Sequence, residues 1–175
     1  LNRGHTAAPQ DIYQSLKSEL GEIIDFQDPA DSDTVCCWLI GTYFYTLFDA
    51  YAYLAVLGPK GSGETKLGEV IQVVAFNATR SSSVTDATIF RLVDITGGTL
   101  ILDEQEVLAS KFAKGDYLGL LRDGYKKGST VLRTREVGGD FHPQNYSAYS
   151  PRVLFNTSGV EELLADRCIP IHMLR

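Results

Sequence analysis

The sequence predicts an α/β fold: a mostly parallel sheet covered by helices, with a β-ribbon insert and helices at the N-terminus. Short apolar runs bounded by polar residues, such as Ala52 to Leu57 and Thr99 to Leu102, read as strands buried on both faces, which is the pattern parallel sheets require. Stretches with apolar residues at helical spacing alternate with them, and that alternation indicates parallel strands joined through helices. The first run passes directly into Gly58-Pro59-Lys60-Gly61-Ser62-Gly63-Glu64-Thr65, a glycine loop that opens a helix. The rest of the chain is arranged around that junction.

With 175 residues, 44% of them hydrophobic, the chain is long enough for a full domain with its own core. Charged residues make up 22%, an ordinary share that argues against wholesale disorder. A net charge of −6 excludes a generally basic nucleic-acid-binding body but leaves room for a local basic patch. Cys36, Cys37 and Cys168 are odd in number and two are adjacent, so neither a disulfide framework nor a zinc set follows. His5, His142 and His172 are scattered without metal spacing. A reducing, cytoplasmic setting is expected. The longest uncharged apolar run, Val35 to Phe48, is too short to span a bilayer and shows no signal-peptide pattern, so no membrane partner is expected. The chain opens on Leu1 rather than Met, as a piece excised from a longer protein would.

Taken in order, 1–50 should form a helical segment packed on a core made by 51–175. Pro9 and Asp11 are helix-start residues, and Ile12, Leu16, Leu20 and Ile24 follow on one face. The acidic stretch Asp25 to Asp33 is expected to be a loop. Asp31, Ser32 or Asp33 then caps a buried helix from Thr34 to about Phe48. After the strand and the glycine loop, a helix should run from Thr65 to about Ala78, with Leu67, Val70, Ile71 and Val74 against the sheet. Thr79 to Ser83 is a short polar strand or turn, and Val84 to Ile95 a helix capped near Thr85 and stopped by Gly97. Thr99 to Leu102 is the second buried strand, followed by helical residues from Glu106 to about Leu121. Gly124 to Pro151 has period-2 character and reads as a β-ribbon, Arg152 to Asn156 as a third core strand. A short helix, Val160 to Asp166, and a last strand, Cys168 to Met173, complete the domain.

The glycine loop has the layout of a phosphate cradle, in which backbone N–H groups and a helix N-terminus converge on an anion. It meets the pattern G-x-x-x-x-G-K-[ST] at every position but one: Glu64 stands where the lysine belongs. Asp103, ending the second strand, has the position of a magnesium-binding acid, with the Thr65 hydroxyl as a further oxygen ligand. Glu104 beside it is placed to orient or deprotonate a water. Asn156 suits a polar group sensing the terminal phosphate, although Asn-Thr-Ser-Gly is also a turn sequence. Arg167 reads either as an arginine finger entering a neighbouring subunit or as an ion-paired surface residue. Lys126, Lys127, Arg133 and Arg135 give the ribbon a basic character that fits a nucleic-acid backbone, a plain solvated hairpin being the alternative. Tyr43, Tyr45, Tyr51 and Tyr53 read as core and core-edge packing, a base-stacking platform being the alternative.

These residues resemble a family. Gly58 to Thr65, Leu102-Asp103-Glu104, Asn156 and Arg167 resemble the Walker A, Walker B, sensor-1 and arginine-finger positions of AAA+-type P-loop ATPases. More narrowly, Asp49 to Glu69, Leu100 to Glu106 and Asp166 to Ile171 resemble the ATPase module of primase-helicases of phages, plasmids and archaeal mobile elements. The resemblance covers about Asp33 to Arg175. It implies a three-layer P-loop NTPase fold of the AAA+/ASCE type, with a five-stranded sheet of order 5-1-4-3-2. It implies ATP and Mg²⁺ as cofactors, assembly with copies of itself into a ring (a hexamer in the parent protein) and ATP-driven movement on DNA. Two departures stand out: Glu64 removes the phosphate-binding ammonium, and the helical lid that follows in such proteins is not expected before Arg175. With Glu64 in place turnover is expected to be impaired; the alternative is a degenerate, inactive P-loop domain serving assembly or regulation.

Overall fold

The computed structural model describes residues 7–59, 61–82, 85–103, 115–156 and 159–174. Two helices lead in, α1 (Pro9–Ile23) and α2 (Pro29–Gly41), followed by a 3-10 turn at Tyr45–Leu47. Then come β1 (Tyr53–Leu57), α3 (Glu64–Val74), β2 (Thr79–Ser81), α4 (Asp86–Thr96), β3 (Leu100–Leu102) and α5 (Gly115–Asp123). The ribbon strands β4 (Thr130–Val137) and β5 (Asp140–Ser147) precede β6 (Arg152–Asn156), α6 (Glu162–Ala165) and β7 (Cys168–His172). The main sheet has the order β2-β3-β6-β1-β7 with every pairing parallel, which is the 5-1-4-3-2 order the resemblance implies.

Both faces of this sheet are covered, which is why its central strands β1, β3 and β6 carry apolar residues without alternation. Leu54 and Val56 share one core cluster with Leu20 of α1, Leu39 of α2 and Ile71 of α3. Tyr53, Leu102 and Leu154 belong to the other, with Ile89 of α4, Leu121 of α5 and Leu164 of α6. The ribbon is seated on the second face: the Tyr146 ring lies 4.9 Å from that of Phe90, and Ser147 N donates to Asp94 at 2.9 Å.

Three expected boundaries are corrected, the first being that α3 ends at Val74 rather than near Ala78. The second helix starts at Pro29, inside the stretch expected to be loop, because Asp28 caps it by accepting from Ala30 N at 2.9 Å and proline suits the first turn. It also ends at Gly41 rather than near Phe48, and Tyr43, Phe44, Leu47 and Phe48 lie exposed. The helix expected from Glu106 is described only as α5; 104–114 lie outside the described residues.

Arg152 is the largest fully buried side chain among the described residues. Its guanidinium donates to the carbonyls of Leu120 at 3.1 Å and Ala148 at 2.5 Å and lies 5.2 Å from the Tyr53 ring centre. Hydrogen bonds from the charged group thus tie α5 and the end of the ribbon to β6. Gly124 makes the room, since a Cβ there would stand 2.6 Å from Ala148 O and 2.7 Å from Arg152 Cζ. Gly124→Ala is therefore expected to lower stability by about 1–3 kcal/mol, read from urea melts. An unchanged midpoint would show that the guanidinium has another resting place.

Candidate functional site

Parallel register brings three chain segments to one edge of the sheet. Leu57 pairs with Asn156 across β1 and β6, and Leu102 with Leu154 across β6 and β3. The loop after β1, the buried Asn156 and Asp103 therefore emerge side by side at the carboxyl ends of the strands, where α/β sheets bind ligands.

The loop backbone is constrained by close contacts. Met173 N donates to Leu57 O at 2.8 Å, which draws the chain after β7 across the start of the loop. A Cβ on Gly58 would stand 2.6 Å from both Met173 O and Ser62 Oγ, so only glycine fits there. Gly61 and Gly63 adopt φ of 85° and 96°, the left-handed region that glycine enters without strain. Gly63 is the residue before α3 and offers its first-turn N–H groups no side-chain cap. Ser62 is 8% exposed, and its Oγ has no hydrogen-bond partner among the described residues. Open N–H groups, a helix N-terminus and a buried unpartnered hydroxyl together fit a phosphate. Lys60 lies outside the described residues.

The side-chain charges are arranged differently from those of an ordinary lysine-bearing phosphate loop. Glu64 is half-buried at the first position of α3, and its Oε1 is buried without a partner among the described residues. Burial, and secondarily the charge of Asp103, raises its carboxyl above the usual range. Thr65, next to it, is exposed. Thr65 and Asp103 are the right oxygen donors for magnesium, but Asp103 accepts from Arg80 Nε at 2.6 Å. The fit is thus good for a phosphate group and altered for the metal. Glu104 lies outside the described residues. Asn156 Nδ2 donates to Gly159 O at 2.7 Å, the turn bond its sequence context indicated, while the residue keeps its place between the loop and Asp103.

Arg167 is at the opposite edge: its carbonyl accepts from Tyr53 N at 2.9 Å, at the amino end of β1. Its guanidinium donates to the carbonyls of Leu163 and Arg122 and lies over the Tyr125 ring. The four basic residues around the ribbon engage different neighbours. Lys126 bridges to Ala50, and Lys127 Nζ donates to Thr46 O at 2.8 Å. Arg133 lies 5.5 Å from the Phe90 ring centre, and the exposed Arg135 stands opposite His142. Arg80 and Arg152 were not anticipated. For Arg80 a signal existed: a lone cation on the polar strand after the loop helix, the place where such a strand flanks the one ending in Asp103.

A cavity of about 180 Å³ adjoins the loop, lined by Ile23, Asp25, Gln27, Ser62, Lys66 and Leu174 among others. A larger hollow of about 510 Å³, beside Trp38, Tyr51 and Ile169, adjoins residues at the amino ends of β1 and β7, away from the site. Among the described residues no helix is long and apolar enough to cross a membrane, and no cluster of three or more metal-ligating side chains occurs.

No family model matches the chain, and no curated protein does. Among solved structures it is similar to one titled as the X-ray structure of JCV helicase, with a TM-score of 0.51 and 14% identity. The match covers 96% of this chain and 46% of that one, so the chain spans less than half of its neighbour's length. At this identity the likeness is one of fold, and it agrees with a five-stranded parallel sheet covered by helices.

The raised Glu64 carboxyl has a consequence for stability. Its contribution is full below the ordinary carboxylate range and is lost as pH rises through the raised folded value. Glu64→Gln should therefore melt above the wild type at neutral pH, with the gap closing toward pH 4. A gap that is independent of pH would mean the carboxylate is solvated in the fold.

Proposed function

We propose that this chain is the nucleotide-binding module of a DNA helicase or replication protein, with ATP phosphates received by the glycine loop and turnover held down by Glu64. The observation that carries the reading is the loop itself, where Gly58 admits no Cβ and Ser62 Oγ is buried without a partner among the described residues. The fold likeness to a JCV helicase supports it. When bound, ATP with Mg²⁺ supplies the transferable phosphoryl group. Gly58 to Gly63 and the first turn of α3 would hold the phosphates, Thr65 and an Asp103 released from Arg80 would ligate the metal, and Glu104 would orient the water. Asn156 holds a polar contact at the same edge. The adjoining cavity, part apolar and part polar, suits the nucleoside end.

Arg167 sits at the far edge of the sheet from its own loop, which suits a group acting on a neighbouring copy in a ring. Arg133, Arg135 and the two lysines would meet DNA through its phosphates, with an affinity that falls steeply with salt. A second reading, a degenerate domain kept for assembly or regulation, is favoured by one observation: the Asp103 carboxylate already has a guanidinium partner.

An ammonium about 4 Å from a phosphate oxygen is worth roughly 4 kcal/mol at an effective dielectric near 20. Glu64→Lys should accordingly bind ATP about a thousandfold more tightly than the wild type in calorimetric titration. Equal affinities would remove residue 64 from the phosphate site. Arg167→Ala should leave the ATP affinity of the single chain unchanged; a loss would mean that Arg167 serves its own loop.

A further inference from the structure

The described part of the site places two carboxylates, Glu64 and Asp103, where a highly charged anion is to bind. A cation stands beside them on an element the phosphate-loop pattern does not include. β2 is an edge strand of the sheet, and its parallel pairing Arg80↔Ile101 and Ser81↔Leu102 carries Arg80 to the end of β3. Arg80 Nε donates to Asp103 Oδ2 at 2.6 Å, and Nη1 lies 3.4 Å from the Thr65 carbonyl in the first turn of α3. Gly68 makes room for it: a Cβ there would stand 2.9 Å from Arg80 Cζ. The Phe155 ring centre lies 6.0 Å from the same atom. Arg80 and Asp103 are each only 19% exposed, so the guanidinium is held in a formed niche between the loop helix and the strand ends. In such partly shielded surroundings its charge acts more strongly than at an open surface.

Ser62 independently points to a ligand at the loop, because its hydroxyl is buried there with nothing among the described residues to bond. The bonds Arg80 makes use Nε and Nη1, and a guanidinium has further N–H donors to give. We infer that Arg80 is the phosphate-binding cation of this loop, taking over from outside the loop the charge that Glu64 denies it within. This rests on the reading that the loop receives a nucleoside triphosphate. Asp103 is the resting partner of Arg80, and an arriving phosphate shares the guanidinium with it. Arg80 offsets the charge of Asp103, so that even without a divalent metal the phosphates meet the remaining guanidinium donors rather than a bare carboxylate.

The test is calorimetric titration of the full chain with ATP, in EDTA, up to millimolar ligand. Arg80→Gln should weaken binding about ten- to a hundredfold, the range for losing a charged hydrogen bond, while Arg80→Lys retains most of the affinity. Asp103→Asn, which frees Arg80 and removes a like charge, should tighten metal-free binding. Unchanged affinity in Arg80→Gln, or weaker binding in Asp103→Asn, overturns the inference. If Arg80→Gln proves unfolded by circular dichroism, Arg80→Lys and Asp103→Asn decide it alone. If the wild type fails to bind ATP while Glu64→Lys binds, Arg80 does not serve the loop although the loop is a nucleotide site. If neither binds, the functional reading falls as well.

Discussion

Parallel pairing of β3, β6 and β1 is the constraint from which the site follows. Each strand contributes its last residues to one edge, so the glycine loop, Asn156 and Asp103 are neighbours because of register rather than sequence distance. The same pairing requires helices on both faces and therefore largely apolar central strands, the polar β2 lying at an edge. It also explains why a buried arginine is tolerated at the start of β6. Arg152 donates to the Ala148 carbonyl and adds a second donor to the Leu120 carbonyl, which also accepts from Gly124 N, where α5 and the ribbon end meet the sheet.

Backbone and side chains at this edge carry different messages. The backbone retains the features of an anion cradle: glycines at positive φ, a helix start with no side-chain cap, and a chain drawn tight by Met173. The side chains reverse the usual balance, with Glu64 in the loop and the cation displaced to Arg80. A carboxylate next to bound phosphate is unfavourable, and its raised proton affinity already records the pressure of burial and of Asp103. The two halves are reconciled if the loop still receives phosphate, weakly, with the attractive charge supplied from the neighbouring strand.

Much of the fold was legible because its signals are local. The apolar run ending in Asn156, the period-2 ribbon with its glycine turn, and the Thr85 cap each appear where the sequence indicates. The start of α2 was legible too, in Asp28-Pro29, but the denser cluster of capping residues further on drew the expected boundary away. The end of that helix was not, because Tyr43, Phe44, Leu47 and Phe48 look buried by composition and are exposed in the fold, while Tyr45 alone among these aromatic and aliphatic residues turns into the core. At the site, the loop and Asp103 could be read from spacing. Arg80 could not be read in the same way, since its role depends on which strand lies beside β3 and on the space left by Gly68.

The central claim is that the Glu64 carboxylate faces bound phosphate. It is tested most directly by measuring ATP affinity without metal across pH 5 to 8 for the wild type and Glu64→Gln. Titration of the nucleotide itself is common to both proteins, so the difference between them reports Glu64 alone. The account predicts that the wild type binds more weakly than Glu64→Gln at neutral pH and converges on it as the pH falls and the carboxyl takes up its proton. A constant ratio between the two proteins over that range would contradict it.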